Sequence, residues 1–488
     1  MTAALWSDVT AARATGGAVS GTPWRASGVI IDSRRLTGGE LFVALDGERV
    51  DGHDFVGAAL ASGAAAAMVE RRPANLSEHA PLLIVEDTLK ALTYLGTQAR
   101  AGSTAEVVAV TGSVGKTGTK EALLPALSVA GETYVSAGNL NNHIGAPLSL
   151  TRLPGSAAYA VLELGMSHAG EIAPLSRMVR PHVAIVTNIE PVHIGYFESE
   201  RDIALAKAEI FQGLEPGGVA VLNLDNPWYR VLAEQAHEAG AVRVVTFGRA
   251  KNSDIRLVDT RSGPDGSRVD VEIEGRALRY QLDAIGAHWA LNSTGVLACV
   301  HALGLDVEAS AAAIRRVSAG RGRGGQVTIN LAGGGAIRLI DESYNANPAA
   351  MRAAFSVLGF SVPANHGTGQ RGGKGSHKGR RVAVLGDMRE LGDRGPDLHA
   401  ALAEDLLAAA PDAVFTVGPL MDELRIRLPD AMCVGHGERS TDIAEQIAAE
   451  LRAGDVVLVK GSLGTNMAPV IAAIEALGEP HCRVANGR

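Results

Sequence analysis

The seven residues Thr111–Thr117, which read TGSVGKT, follow the apolar run Val107–Val110 and lead into a helix-like stretch that extends to Ala130. A strand, a glycine-containing turn and a Lys-Thr pair at a helix start form the layout of a phosphate-binding loop, in which backbone N–H groups and the helix N-terminus face the phosphates. Lys116 adds a point charge, and the Thr117 hydroxyl is placed to bind Mg²⁺. This segment therefore predicts that the chain uses ATP or GTP.

The loop departs from the full phosphate-loop pattern at Val110, where a glycine is usual five positions before Gly115. The shorter pattern G-x-x-G-K-T arises more easily by chance, so an ordinary glycine turn before a helix is the alternative interpretation. The flanking strand and helix favour the phosphate loop, because the motif needs that context.

The length of 488 residues favours two to four domains. A net charge of −8 argues against a nucleic-acid partner, which would need a basic surface. No uninterrupted apolar run is long enough to span a bilayer, and the first residues lack the pattern of a signal peptide. We therefore expect a cytoplasmic protein without membrane insertion. The three cysteines show no paired spacing and fit a reducing compartment: Cys299, Cys433 and Cys482.

Strand and helix patterns alternate along the whole chain and predict an α/β protein of three domains, with bounds at 1–104, 105–320 and 321–488. In the central domain this rhythm predicts a mostly parallel sheet with helices on both faces, and ligands of such sheets bind at the carboxyl ends of the strands. The predicted strands are Gly28–Ile31, Leu41–Leu45, Ala65–Val69 and Leu82–Val85, then Val107–Val110, Ala158–Leu162, Val183–Thr187, Gly218–Leu222 and Val242–Phe247, and finally Ile337–Asp341, Arg381–Gly386, Ala413–Val417 and Val456–Lys460.

Three segments interrupt this rhythm. Residues 254–282 alternate apolar and polar side chains around the turn SGPDG, which predicts an antiparallel hairpin appended to the parallel sheet. Ala319–Gly325 reads AGRGRGG and predicts a flexible basic joint at a domain boundary. Pro363–Arg380 is Gly-rich, basic and without periodicity, and we interpret it as a mobile surface loop, with anion binding as the alternative.

Polar side chains follow two strands of the predicted central sheet. Glu163 comes at the end of one strand, and His193 follows the next. Together with Thr117 they form a candidate Mg²⁺ site of oxygen and nitrogen ligands, although each alone fits a solvated side chain. Lys207 lies on an amphipathic helix beyond His193 and, by itself, reads as a solvated lysine.

Asn139, Asn141 and Asn142 form a cluster of amides in the loop AGNLNNHIGAP. Such a cluster suits hydrogen bonding to a polar ligand, but it also suits ordinary turn chemistry. The same two interpretations apply to the segment Ser343–Pro348, which reads SYNANP.

Seven motifs in register resemble the Mur ligases, the ATP-dependent amide-bond ligases of peptidoglycan precursor synthesis. The resemblance extends from Asp32–Arg34 to Lys460–Ser462, which is nearly the whole chain, and the short phosphate loop is the form that this family uses. One motif would be weak, but seven in the same order are hard to obtain by chance. The motifs are TGSVGKT, GNLNNHIGAPLSL, ELGMSHAGEI, HIGYFES with IALAKAEIF, GAHWALN, DESYNANP and LGDMRELG.

The resemblance implies ATP and two Mg²⁺ ions as cofactors. Thr117 and Glu163 would hold the first ion, and Glu163, His193 and a carbamylated Lys207 would hold the second, which reverses the interpretation of Lys207 as a solvated lysine. The ATP phosphates would contact Gly112, Ser113, Val114, Gly115, Lys116, Thr117 and Gly118.

The resemblance implies further contacts to ATP from the end of the central domain and from the third domain, which the family builds as a Rossmann-like α/β fold. In the central domain Asn292 would contact the adenine, with His288 nearby. Arg321 would reach the γ-phosphate from the domain joint, with Arg323 as a rival. Asp341 would contact the ribose or the metal. Glu342 departs from the family pattern, which usually has a second aspartate here, and this puts its role in doubt.

The greatest resemblance is to the members that use UDP-N-acetylmuramoyl-tripeptide and D-alanyl-D-alanine as substrates. It implies that the smaller N-terminal α/β domain binds the UDP end through Ser33 and Arg34, with the segments Leu41–Gly47 and Asp51–His53, and that Asn139 and Asn142 contact the muramoyl-peptide. The third domain would close over ATP and receive the dipeptide. We expect a monomer.

Four alternative interpretations fit the sequence less well. The sibling ligase that adds the third amino acid carries, in its diaminopimelate-adding form, a D-N-P-R motif in the third domain, whereas the only DNP here is Asp225–Pro227, in the central domain and followed by Trp228. Folylpolyglutamate synthetase lacks the N-terminal unit. A non-catalytic nucleotide-binding scaffold would not need the whole metal set, and a small-molecule kinase would not need three domains.

Overall fold

The protein is described by a computed structural model that covers residues 4–47, 50–192, 194–263, 266–317, 320, 322–366 and 377–478. The chain divides into two compact units, which are described separately below. The first unit contains Met1–Ile189, Arg201–Ile255 and Gly295–Ala313, and the second contains Glu190–Glu200, Arg256–Thr294 and Ile314–Arg488. The three predicted domain bounds stay a prediction.

The N-terminal part of the first unit is built on a five-stranded sheet in the order β2-β7-β6-β5-β4, parallel except for β2. Ser7 caps the first helix by accepting from the Thr10 N–H, and Gly16 ends it with a positive φ of 71°. All four strands predicted here are present. The elements are β1 (Trp6–Ser7), α1 (Asp8–Thr15), β2 (Ala18–Ser20), β3 (Arg25–Ala26), β4 (Val29–Ile30), β5 (Leu41–Val43), α2 (Val56–Ala61), β6 (Ala66–Val69), β7 (Leu82–Ile84) and α3 (Thr88–Gly102).

The central part of the first unit is a parallel sheet with the strand order β13-β12-β11-β8-β10-β9. The predicted phosphate loop follows β8. This strand lies between β10, which ends at Glu163, and β11, which precedes Thr187. The elements are β8 (Glu106–Thr111), α4 (Lys116–Ser128), β9 (Thr133–Val135), α5 (Gly145–Thr151), β10 (Tyr159–Glu163), α6 (Ile172–Val179), β11 (Val183–Val186), α7 (Glu200–Ala208), β12 (Val219–Asn223), α8 (Tyr229–Glu238) and β13 (Arg243–Gly248).

Helix α5 joins the N-terminal and central parts of this unit. Its Leu148 belongs to the same hydrophobic core as Trp6 and the N-terminal strands. Trp6 Nε1 donates to the Thr151 carbonyl (2.9 Å) and Arg152 Nε donates to the Val29 carbonyl (2.8 Å). The loop that precedes α5, which carries the asparagine cluster, is therefore fixed at its far end by the packing of the N-terminal part.

The predicted hairpin at residues 254–282 is wrong in its strand count. The structure has three neighbouring strands, β14 (Ile255–Gly263), β15 (Gly266–Ile273) and β16 (Arg276–Leu282), and β15 pairs with β16 in antiparallel register. The additional turn lies at Glu274-Gly275, where both residues have positive φ angles, 50° and 79°. A two-residue turn of this kind matches the twist of the strands that it joins, and the prediction passed over it.

The sheet of the second unit has the order β17-β18-β24-β21-β22-β23 and is parallel except for β17. The four strands predicted here are confirmed, and the two edge strands were missed. The elements from α9 onward are α9 (Ala287–Ala302), α10 (Val307–Ala313), β17 (Gly325–Asn330), β18 (Ala336–Glu342), α11 (Pro348–Phe360), β19 (Asn365–His366), β20 (His377–Lys378), β21 (Arg381–Gly386), α12 (Gly395–Ala400), α13 (Ala403–Ala408), β22 (Ala413–Val417), α14 (Asp422–Arg425), β23 (Cys433–Gly437), α15 (Ser440–Glu450), β24 (Val456–Lys460) and α16 (Ala468–Glu475). Of these, α10 and the last part of α9, from Gly295, belong to the first unit.

Two of the predicted irregular segments fall partly outside the described residues. Most of the predicted mobile loop, residues 367–376, lies outside them, while β19 and β20 on either side pair in antiparallel register. Residues 318, 319 and 321 of the predicted joint also lie outside. Within the described ranges, the structure contains no helix with the length and hydropathy needed to cross a membrane.

Candidate active site

The predicted phosphate loop connects β8 to α4, and its backbone needs two glycines. Gly112 (φ 146°) and Gly115 (φ 85°) adopt positive φ angles that other residues rarely reach. The loop is held by the neighbouring strand connection, because the Ser113 N–H donates to the Asn188 carbonyl (2.8 Å). No side chain caps the N-terminus of α4, which begins at Lys116. The first N–H groups of this helix can therefore bind an anion.

Two lysine side chains lie near this loop. Lys116 Nζ donates to the Gly112 carbonyl (2.7 Å). Lys207, on α7, is only 2% exposed. Burial lowers the pKa of Lys207 well below its ordinary value, and the positive charge of Lys116 lowers it further. The site thus combines a cation at the phosphate loop with a buried amine that favours its neutral form.

Glu163 and Thr117 form a buried pair of oxygen ligands beside the loop. Thr117 Oγ1 donates to Glu163 Oε2 (2.7 Å), and the two residues are 7% and 2% exposed. The pair exists because β8 and β10 are parallel neighbours: Glu163 ends β10, and Thr117 lies in the first turn of the helix that follows β8. The predicted juxtaposition of these two residues is present.

The donor set of this pair fits Mg²⁺. A carboxylate and a hydroxyl are hard oxygen ligands, and Mg²⁺ commonly takes one or two protein ligands and completes its shell with waters and phosphate oxygens. Across the described ranges no cluster of three or more His, Cys, Asp or Glu residues could hold a metal alone. Phosphate oxygens and waters would complete the shell of an ion held by Thr117 and Glu163.

Two predicted site residues, His193 and Arg321, lie outside the described residues, so their roles stay predictions. Arg323, the rival of Arg321, is described, and its guanidinium lies 3.9 Å from the ring centroid of Tyr344. This cation–π contact gives Arg323 a structural role of its own.

The predicted UDP-binding residues lie on the N-terminal sheet. Ser33 and Arg34 form a short 3₁₀ turn that Asp32 caps, and the exposed Arg34 guanidinium pairs with the Asp32 carboxylate (2.9 Å). Asp51 accepts from the backbone N–H of His53 (2.9 Å) and contacts its ring, which lowers the pKa of Asp51 to about 2. Both turns are therefore ordered by their own aspartates.

The asparagines of the loop differ in their contacts: the Asn142 side chain binds backbone groups of the protein, whereas Asn139 is exposed. Asn142 Oδ1 accepts from the backbone N–H groups of Ile144 (3.2 Å) and Gly145 (2.9 Å) at the start of α5. Asn139, at the exposed tip, accepts the Asn141 N–H on its carbonyl (2.8 Å). The exposed position of Asn139 fits its predicted contact with the muramoyl-peptide, which stays a prediction.

Asp341, one of the predicted ATP contacts, lies near the end of β18, next to β24. Asp341 accepts from the Gly322 N–H (2.8 Å) through Oδ2 and from the Ser343 hydroxyl (2.6 Å) through Oδ1. Glu342 Oε2 pairs with the buried Lys460 Nζ (3.1 Å), a partner that the sequence did not suggest.

Helix α9 adds the other predicted contacts of this unit. His288 lies near Glu342 and Lys460; burial lowers the pKa of His288 below its ordinary value and Lys460 lowers it further, against the opposing effect of Glu342. Asn292 lies one turn further along α9. The structure therefore places His288 near the ends of β18 and β24. The predicted contact of Asn292 with the adenine stays a prediction.

Comparison with known proteins identifies the family of this chain. The Mur ligase family catalytic domain matches residues 25–122, the Mur ligase middle domain matches 110–300, and the Mur ligase glutamate ligase domain matches 328–463. A protein of Escherichia coli named UDP-N-acetylmuramoyl-tripeptide–D-alanyl-D-alanine ligase is 35% identical, with 95% of this chain and 96% of that protein covered. This chain belongs to the Mur ligase family.

Solved structures agree with this assignment to the Mur ligases. The crystal structure of MurF from Acinetobacter baumannii has a TM-score of 0.80 and 30% identity, over 96% of this chain and 99% of that chain. The MurF ligase of Thermotoga maritima, solved in complex with ADP, has a TM-score of 0.73 and 26% identity, over 92% and 97%. The α/β fold and the family predicted from the motifs are confirmed, and membership of this family implies the use of ATP.

One buried residue of this Mur ligase was missed by the sequence analysis. Lys120 is fully buried on α4, and its Nζ donates to the carbonyls of Ser136 (2.8 Å) and Gly138 (2.9 Å). The burial of Lys120 could have been predicted from its position three and seven residues before Leu123 and Leu127. These three residues share one helical face, where an apolar side chain is expected.

Proposed function

We propose that this Mur ligase joins UDP-N-acetylmuramoyl-tripeptide to D-alanyl-D-alanine, with ATP as the energy source. The products are UDP-N-acetylmuramoyl-pentapeptide, ADP and phosphate, and the reaction belongs to peptidoglycan precursor synthesis. The observation that carries the proposal is the buried Thr117–Glu163 oxygen pair beside Lys116 at the phosphate loop. It occurs in a chain that is similar over 95% of its length to a protein with this name.

The reaction needs ATP because a carboxylate does not react with an amine at neutral pH, since oxide is too poor a leaving group. In the proposed scheme the terminal carboxylate of the tripeptide attacks the γ-phosphorus, the bond to the β-phosphate oxygen breaks, and an acyl phosphate forms. The amine of D-alanyl-D-alanine then attacks the acyl carbon, loses a proton and displaces phosphate. Both steps bring negative groups together, so charge neutralisation is the main demand on the protein.

The phosphate loop and Glu163 would meet this demand together. The N–H groups at the start of α4 and the Lys116 ammonium would bind the phosphates, and Thr117 with Glu163 would hold the first Mg²⁺. When bound, Mg²⁺ polarises the phosphoryl oxygens and offsets their charge. Lys116 would follow the developing charge on the transferred group, because its flexible side chain can exchange the Gly112 carbonyl for phosphate oxygens.

A second Mg²⁺ would be held by Glu163, His193 and a carbamylated Lys207. The burial of Lys207 supports the carbamate, because only a neutral amine attacks CO₂ and burial favours the neutral amine. Incubation with ¹³C-bicarbonate should give a carbamate carbon resonance in the wild type that is missing in Lys207→Arg. A wild-type spectrum without that resonance would remove Lys207 from the metal site.

The remaining predicted contacts follow the two substrates and the nucleotide. Ser33 and Arg34 would bind the UDP end, and Asn139 and Asn142 the muramoyl-peptide. In the second unit Asn292 would contact the adenine and Arg321 the γ-phosphate. Asp341 would contact the ribose or the metal; its carboxylate already orders the turn at Gly322, so this contact would use its remaining lone pairs. The enzyme would act as a cytoplasmic monomer, which light scattering on the purified protein can check.

One assay tests the function. The enzyme is incubated with ATP, Mg²⁺, the UDP-linked tripeptide and D-alanyl-D-alanine, and the product is identified by mass spectrometry while phosphate release is followed. We expect phosphate release only with both substrates, and a product equal to the sum of the two minus water. Phosphate release with the tripeptide substrate omitted would identify a different ATPase.

The sibling reaction, which adds a single amino acid to the UDP-linked dipeptide, is the matched comparison. In the same assay, the UDP-linked dipeptide replaces the UDP-linked tripeptide, and lysine or diaminopimelate replaces D-alanyl-D-alanine. We expect no ligation product with lysine or with diaminopimelate. Tripeptides that end in lysine and in diaminopimelate are then compared, which identifies the third residue of the accepted peptide.

A further inference from the structure

We infer that Asn141 is a positioning residue that orients the Glu163 carboxylate for the metal ion and couples it to the loop that contacts the muramoyl-peptide. The inference rests on the proposed function, since that function supplies the metal and the peptide. It gives a role to the one asparagine of the cluster for which the resemblance implies none.

The Glu163 carboxylate is held at both of its oxygens. Thr117 Oγ1 donates to Oε2 (2.7 Å), and Asn141 Nδ2 donates to Oε1 (2.8 Å). An ionised carboxylate can only accept hydrogen bonds, so Asn141 must present its NH₂ group to it. Because the carboxylate is 2% exposed, water is nearly excluded as a substitute donor. Removal of the amide would leave one oxygen without its donor and the carboxylate free to rotate.

Asn141 is itself held by the segment that follows the strand ending at Glu163. The Gly165 N–H donates to the backbone carbonyl of Asn141 (2.8 Å). A Cβ atom built on Gly165 would lie 2.9 Å from Asn141 Cγ and 3.1 Å from Nδ2. The amide therefore packs directly against the Gly165 backbone, and a methyl group at that position would displace it.

The loop around Asn141 is anchored at both ends. At its start, the buried Lys120 of α4 holds the carbonyls of Ser136 and Gly138. At its end, Asn142 caps α5, which packs into the N-terminal core through Leu148. The loop connects β9 to α5, so it is held at one end by the helix of the phosphate loop and at the other by the N-terminal part predicted to bind UDP.

A peptide that contacts Asn139 or Asn142 would order this loop and with it the Asn141 amide. The carboxylate would then be held in the orientation that the metal ion requires. Coupling of this kind is reciprocal, so the UDP-linked tripeptide and Mg·ADP should each strengthen the binding of the other.

The test measures Mg·ADP binding by isothermal titration calorimetry, with and without the UDP-linked tripeptide. We expect the wild type to bind Mg·ADP more tightly when the tripeptide is present. Asn141→Ala should weaken Mg·ADP binding about tenfold, the loss that one hydrogen bond to a charged group gives. It should also remove the gain that the tripeptide provides.

Two further variants separate orientation from packing. Asn141→Leu keeps the approximate shape of the side chain without the donor, and we expect it to behave as Asn141→Ala does. Gly165→Ala keeps the amide but pushes it away from Glu163, and we expect the same direction of change. A Leu variant with wild-type affinity and wild-type coupling would overturn the inference, because only packing would then matter.

The matched control is Asn223→Ala, since Asn223 is also a buried asparagine at the end of a central strand, where Oδ1 accepts the Asp225 N–H (3.0 Å). Its affinity for Mg·ADP should stay at the wild-type value. Thermal melting of each variant excludes loss of the fold. A wild type that does not bind Mg·ADP would contradict the proposed function, whereas normal wild-type binding with an unaffected Asn141→Ala would contradict this inference alone.

Discussion

The two units each contain a deeply buried lysine, Lys207 on α7 of the first unit and Lys460 at the end of β24 in the second, but the charge of each lysine is compensated differently. In the second unit Lys460 is 1% exposed, pairs with Glu342 (3.1 Å) and donates to the Asn345 carbonyl (3.0 Å). In the central sheet region Lys207 is as deeply buried, yet among the described residues it makes no ion pair, and the nearby charge of Lys116 lowers its pKa further.

This difference separates a structural charge from a functional one. A buried charge costs free energy unless an opposite charge and hydrogen bonds compensate it. Lys460 has these partners within the protein and can stabilise the fold. Lys116 and Lys207 instead concentrate positive charge and a neutral amine where an anionic ligand would bind, which fits a preorganised site for phosphate transfer.

The largest effect is expected for Lys116→Ala. Loss of one preorganised charge of this kind costs on the order of 100- to 1,000-fold in rate. Phosphate release with both substrates present measures the change, and the melting temperature should stay near the wild-type value. Lys251→Ala, at an exposed lysine, is the control and should keep full turnover. Unchanged turnover in Lys116→Ala would remove the phosphate loop from the mechanism.

Lys460→Met should destabilise the protein by about 3 kcal/mol, at the lower end for a broken buried pair because Glu342 is partly exposed. Scanning calorimetry measures the loss. The double variant Lys460→Met/Glu342→Leu should recover most of it, because no unpaired carboxylate then remains. If Lys460→Met were as stable as the wild type, the ion pair of Lys460 would not stabilise the fold, and the proposed contrast with Lys207 would fail.

Lys207→Met should have the opposite effect on stability. Removal of a poorly compensated buried amine should raise the melting temperature of the ligand-free enzyme by about 2–4 °C, the shift that ~1 kcal/mol gives in a domain of 150–250 residues. Ligation should be lost, and added bicarbonate should not restore it. Full activity in Lys207→Arg would exclude the carbamate, because arginine cannot carry it.

The stability gain of Lys207→Met should depend on pH. The folded pKa of Lys207 lies below its ordinary value of 10.5, so between the two values the unfolded chain binds more protons and wild-type stability rises with pH. The difference between variant and wild type should therefore shrink as the pH rises toward 10.5. Calorimetry in CO₂-free buffers at several pH values measures it, and a gain that grew with pH would reverse the assigned direction of the shift.

How far the sequence predicts such features depends on how local they are. The Thr117–Glu163 contact was predictable, because a phosphate loop and a strand-end carboxylate on parallel strands meet at one sheet edge. The contact between Asn141 and Glu163 was not, because it depends on how a loop folds back over the strand. The Lys460–Glu342 pair joins residues 118 positions apart, and no periodicity reports such a pair.

The strands show the same division. Buried central strands such as Val456–Lys460 are continuous apolar runs and were predicted with their bounds. The edge strand Cys433–Gly437 contains two glycines and a histidine and is only partly buried, so it carries little pattern. The turn at Glu274-Gly275 was missed because two strands of similar alternation were taken as one arm.

A crystal structure with Mg²⁺ and a non-hydrolysable ATP analogue tests the central claim most directly. The account predicts the terminal phosphate beside Lys116, with a metal ion that bridges it to Thr117 and Glu163. A terminal phosphate bound away from Lys116, or a metal ion without contact to Glu163, would contradict it.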